Sequence, residues 1–76
     1  MMAWDTEWAA TKASEAMQYL AASYPEASGS EALHPPHQDA AHAAAVAGDR
    51  EAYLEALRGY MRAGRDEALR IRKEAA

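Results

Sequence analysis

Ala47-Gly48-Asp49 lies between two alanine-rich helical patterns and constrains this chain more than any other three residues. Gly48 can take the left-handed conformation that ends a helix without a Cβ penalty. Asp49 can accept hydrogen bonds from the free N–H groups that open the next helix. One helix stops and another starts with almost no loop, so the two must fold back side by side. The junction predicts a helical hairpin in the middle of the chain.

A chain of 76 residues has room for one hydrophobic core, and residues 1–76 read as a single helical domain. A core of this size supplies only about 3–5 kcal/mol, and small scaffolds lean on disulfides, metals or oligomerisation. With no cysteine, disulfide staples and thiolate metal sites are excluded; the absence agrees with a reducing cytoplasm, the expected location. Half of the residues are apolar, yet alanine dominates them, phenylalanine is absent, and Val46 and Ile71 are the sole valine and isoleucine. Alanine buries little more than a methyl group, so the core falls to the tryptophans, tyrosines, leucines and methionines. Alanine is also the best helix former, and β-branched residues are scarce, which points to an all-α fold. No apolar run is long enough to span a bilayer, and no basic stretch precedes an apolar one at the N-terminus. A soluble, unexported chain without membrane contact is expected.

Periodicity divides the chain into three helices. The first is expected from about Ala3 to Ser23, with Ala9, Ala13, Ala16, Met17, Leu20 and Tyr24 on one stripe. Trp4, Trp8, Glu15 and Tyr19 share a neighbouring face, which gives this helix a small-residue surface and an aromatic one. Tyr24-Pro25 ends it, because the residue before proline is pushed out of the helical region. Residues 25–30 read as a loop, with Ser30 capping a short turn through Glu31, Ala32 and Leu33. Pro35 or Pro36 suits the first turn of a second helix that runs to Ala47 and carries alanines almost throughout. The third, Arg50 to about Glu74, is the strongest: Tyr53, Leu54, Leu57, Tyr60, Met61, Gly64, Ala68 and Ile71 form one stripe about 120° wide. Gly64 leaves room there for a bulky partner, such as a tryptophan, whereas Gly59 sits opposite the stripe with no evident use. The expected architecture is a small antiparallel three-helix bundle: long helix, prolyl junction, short alanine helix, long amphipathic helix.

Residues 43–49 followed by Tyr53, Leu54 and Leu57 resemble the inter-helix turn of tetratricopeptide-type hairpins. The early Trp, Leu-Gly and Tyr and the closing Pro of that repeat are missing, so the resemblance implies a tight hairpin and carries over no functional residue.

The net charge of −4 hides an asymmetry. Residues 1–49 hold one lysine against seven carboxylates, while residues 50–76 hold seven basic groups against five acidic ones. Such halves attract one another weakly when packed together and give the surface two signs. Arg58, Arg62, Arg65 and Arg72 form a basic line on the flank of the third helix, where they could contact phosphates. They are interleaved with Glu55, Asp66 and Glu67, as on an ordinary solvated face.

Catalytic chemistry finds little support. No serine stands in a strand–turn–helix setting, the four glycines are scattered, and the acids read as solvated. His34, His37 and His42 with Asp39 are the nearest approach to a metal cluster, but His37 and His42 are about 140° apart on a helix and His34 lies across two prolines. No metal and no cofactor is expected.

The function expected is that of a non-catalytic protein–protein interaction module, self-associating and serving as an adaptor or regulator of a partner protein. Trp4, Trp8, Tyr19, Tyr53 and Tyr60 are its candidate interface, tryptophan being enriched at binding hot spots. A homodimer would cover the tryptophans and stabilise a chain with few large aliphatics. Two alternatives are a nucleic-acid-associated regulator using the four arginines, and an acidic decoy that occupies the groove of a nucleic-acid-binding protein.

Overall fold

Gly48 and Asp49 behave as their chemistry requires. In the computed structural model, which describes residues 4–27 and 34–76, Gly48 has φ +69°. Its N–H donates to Ala45 O at 3.1 Å, and the Asp49 N–H donates to Ala44 O at 3.0 Å, the paired bonds of a glycine-ended helix. Asp49 Oδ1 then accepts from the Ala52 N–H at 3.0 Å and opens the next helix.

Helix is the one kind of regular structure among the described residues: α1 spans Thr6–Ser23, α2 His34–Ala47 and α3 Arg50–Ala75, with a single 3-10 turn at Pro25–Ala27. The first helix begins at Thr6, not Ala3, because Asp5 caps it, accepting from the Trp8 N–H at 2.9 Å. Asp-x-x before an apolar residue was a readable cap signal. Tyr24 ends α1 as expected, its N–H donating to Leu20 O at 2.8 Å. Pro25–Ala27 is a helical turn where loop was expected, and buried Ala27 fixes it. The second helix starts at His34, ahead of both prolines, which occupy a first turn whose N–H groups need no intrahelical partner. The expected cap at Ser30 and the turn through Glu31, Ala32 and Leu33 lie outside the described residues.

α3 is the axis on which the other helices lie. Tyr53 Oη donates to Ala9 O at 2.9 Å near one end, and Arg72 Nη2 donates to Ser23 O at 3.0 Å near the other. The first and third helices therefore run in the same direction, while α2 folds back along α3 through the Gly48 turn. Among the described residues, α1 and α2 nowhere bring Cα atoms within 8 Å of each other. The molecule is drawn out to 53 × 19 × 17 Å.

Two clusters make the core. Ala9, Ala44 and Tyr53 are buried at one end beneath Trp4, Trp8, Ala41 and Leu57. Ala16, Leu20 and Tyr60 are buried farther along, against Tyr24, Leu57 and Met61. Leu20 is fully buried, and it fills the gap that Gly64 leaves: a Cβ on Gly64 would stand 2.6 Å from one Leu20 methyl and 2.7 Å from the other. A leucine, not a tryptophan, is the bulky partner of that glycine. Gly59 has a neighbour too, since a Cβ there would meet the His37 ring at 3.7 Å, an ordinary contact. α2 thus packs on the flank of α3 that carries Gly59 and meets the apolar stripe at Tyr53 and Tyr60, through Ala44 and His37.

Candidate interaction groove

Because α1 and α2 both rest on α3 with their backbones held apart, a channel remains between them. Its volume is about 460 Å³. Tyr53, Leu57 and Tyr60 of α3 form the floor, Ala9, Ala13 and Met17 form the α1 wall, and Ala41 and Ala45 form the α2 wall. Thr6, His37, Gln38 and His42 supply polar groups of the lining, which among the described residues contains no carboxylate, ammonium or guanidinium. The helix sequences explain the gap. Ala9, Ala13, Ala41 and Ala45 let each helix approach α3 closely but are too short to reach the other wall. Val46, the one large aliphatic of α2, faces outward at 76% exposure.

Trp4 closes one end of the channel. Its ring lies 6.0 Å from that of Trp8 and 5.3 Å from that of Tyr53, both edge-to-face, and Trp8 lies 5.8 Å from Tyr53. Such contacts are each worth about 0.5–1.5 kcal/mol beyond area burial. Arg50 covers Trp8, with its guanidinium 4.7 Å from the ring centre and 3.7 Å from the Asp5 carboxylate. The tryptophans are therefore half-buried within the chain itself. Tyr53 draws them together, and Tyr19 is left apart: it lies three turns along α1, exposed, 6.0 Å from Tyr24. Tyr60 is buried in the second cluster, with the His37 ring 5.9 Å away. Burial raises the phenol pKa of both Tyr53 and Tyr60 by disfavouring the phenolate.

The basic flank is engaged with carboxylates. Glu55 accepts from Arg58 Nε at 3.1 Å and Arg62 Nη2 at 3.0 Å, and these bonds hold its carboxyl below the ordinary range. Arg65 donates to Asp66 at 3.3 Å. Arg72 reaches farther: it is bidentate with Glu26, donates to the Ser23 carbonyl, and lies 5.3 Å over the Tyr24 ring. It closes the C-terminal end of α1 and lowers the Glu26 pKa, first through their side-chain hydrogen bonds. The pairing of Arg72 with Glu26 spans 46 residues, and no periodicity in the sequence announced it.

His37 packs on Tyr60 and Gly59, and His42 lines the α2 wall. Among the described residues, no three histidine or carboxylate side chains come together in a metal-binding group. No helix among them is long and apolar enough to cross a membrane. No family model, curated protein or solved structure matches the chain.

Proposed function

We propose that this chain is a non-catalytic protein–protein interaction module that self-associates and serves as an adaptor or regulator of a partner protein. Its contact surface is the groove between α1 and α2, with the aromatic end at Trp4 as its stop. One observation carries this reading: the richest apolar stripe of the chain, on α3, is left uncovered along Leu57 by helices too poor in large side chains to cover it. A groove with alanine walls and an apolar floor suits the apolar face of a helix, a recurrent mode of peptide recognition. Among the described residues, a lining with histidines but no carboxylate and no hydroxyl nucleophile beyond Thr6 and the tyrosines favours binding over catalysis. The arginine flank gives the nucleic-acid alternative less support, since each of Arg58, Arg62, Arg65 and Arg72 is paired with a carboxylate.

An apolar fluorescent dye tests whether the groove is open. Anilinonaphthalene sulfonate should bind the folded, dilute chain, with binding reduced by Ala13→Glu or Ala45→Glu, each of which puts a charge on a wall. No dye binding at any dilution, or binding equal in all three proteins, would remove the groove from the account.

A further inference from the structure

We infer that the channel between α1 and α2 is a binding site for a small uncharged aromatic molecule, about two fused rings in size, with a hydrogen-bonding group on one edge. The inference rests on the open groove of the interaction reading and adds to it a regulator. A molecule seated over Leu57 would hold a protein partner off the same floor.

Size is the first of three observations. The volume of about 460 Å³ lies within the roughly 300–1,000 Å³ of small-molecule sites. Along α3 the channel runs from Tyr53, where Trp4 stops it, to Tyr60, where the His37 ring lies against the floor. That stretch is about 10 Å at a rise of 1.5 Å per residue, the length of a fused two-ring body.

The second observation is the carbon lining. Tyr53 spends its hydroxyl on the Ala9 carbonyl, so its ring offers the channel carbon. Leu57 lies beneath, Ala9, Ala13 and Met17 stand on one side, and Ala41 stands on the other. An aromatic body suits these surfaces better than an aliphatic one. Trp4 presents a ring to its end, and the Met17 thioether makes favourable contacts with aromatic edges.

The third is where the polar groups stand. His37, Gln38 and His42 all belong to α2, while the α1 wall from Ala9 to Met17 is apolar. Gln38 and His42 are one helical turn apart on the α2 rim, and an imidazole or an amide can both donate and accept a hydrogen bond. They fit a hydroxyl or carbonyl on one edge of the ligand. A charged ligand fits badly: among the described lining residues no carboxylate, ammonium or guanidinium stands ready to meet it. The net charge of −4 repels anions further.

Titration of the dilute full chain with β-naphthol, followed by NMR of its leucine methyls and tryptophan indoles, tests the site. One molecule should bind per chain, shifting the Leu57 methyls and the Trp4 indole and leaving the Leu20 methyls in place. β-Naphthoate, the same rings with a charge, should bind about tenfold more weakly. Gln38→Leu/His42→Leu should weaken naphthol by about threefold to tenfold without weakening naphthalene, which has no polar edge to lose. Ala13→Leu and Ala45→Leu fill the channel with carbon and should each weaken naphthol roughly tenfold or more. Leu69→Gln, exposed on α3, should bind like wild type. Should one filled variant fail to fold by circular dichroism, the other carries the test. Absence of saturable binding, shifts that spare Leu57 and Trp4, or filled variants that bind like wild type would overturn the site. Naphthoate as tight as naphthol, or a rim variant that weakens both ligands alike, would overturn the chemistry assigned to its ligand. If naphthol fails while the dye still binds through the groove, the interaction reading stands without a small-molecule site. If neither binds, both fall.

Discussion

Leu20 and Leu57 face the same helix from two sides of one question. Leu20 of α1 enters the space over Gly64 and is wholly buried among Ala16, Tyr60 and Tyr24. Leu57 of α3 belongs to both core clusters, yet it also floors a channel open to solvent. The difference lies in what stands opposite. Where α3 offers a glycine, α1 answers with a leucine, and the seam between them closes. Where α3 offers a leucine, α1 and α2 answer with Ala13, Ala41 and Ala45, and nothing reaches across. Alanine gives helix and close approach without volume, so a fold built on it seals only where a large residue meets a hole.

The comparison can be broken most sharply by truncating both leucines. Leu20→Ala should destabilise the chain by about 2–5 kcal/mol, a large part of what so small a core supplies. Leu57→Ala should cost roughly 1–2 kcal/mol, because its side chain is already partly in water. Equal losses in urea unfolding would contradict the distinction between closed seam and open groove. A smaller effect sharpens the closed side. Gly64→Ala gains about 1 kcal/mol of helix propensity and meets an overpacking penalty of about 1–3 kcal/mol against Leu20. The single variant should therefore be neutral to destabilised, whereas Gly64→Ala placed in the Leu20→Ala background should stabilise. That reversal of sign in a double-mutant cycle is the signature of direct contact. Additive effects would mean that Leu20 does not occupy the glycine's space.

Much of this fold is legible in the sequence because its signals are local. The Ala47-Gly48-Asp49 turn, the stop at Tyr24-Pro25 and the apolar stripe of α3 each depend on residues close in the chain. Asp5 is a cap of the same kind as Asp49, and the helix start it sets was open to the same reading. The pairings between helices were not so accessible. Gly64 advertised a hole, but neither a leucine nor a tryptophan is favoured by a hole alone; only the docking of α1 selects Leu20. The aromatic face expected of α1 is split by Tyr53, which gathers Trp4 and Trp8 and leaves Tyr19 to Tyr24. Arg72 looked like one member of a basic line, yet it joins α1 through Ser23 and Glu26. The groove itself was half visible: a nearly side-chain-free second helix plainly could not fill the α3 stripe. Which side of α3 would be left bare depended on where α1 settled, and periodicity carries no such information.

Leu57 is where the account meets its most direct measurement. With methyl-labelled leucines and a soluble paramagnetic probe, relaxation of the Leu57 methyls in dilute protein should be strongly enhanced while that of the Leu20 methyls is not. As concentration rises, Leu57 should become protected and Leu20 should stay as it was. Leu57 methyls as shielded as those of Leu20 at every dilution would mean that the channel between α1 and α2 is closed within one chain, and the open groove would be contradicted.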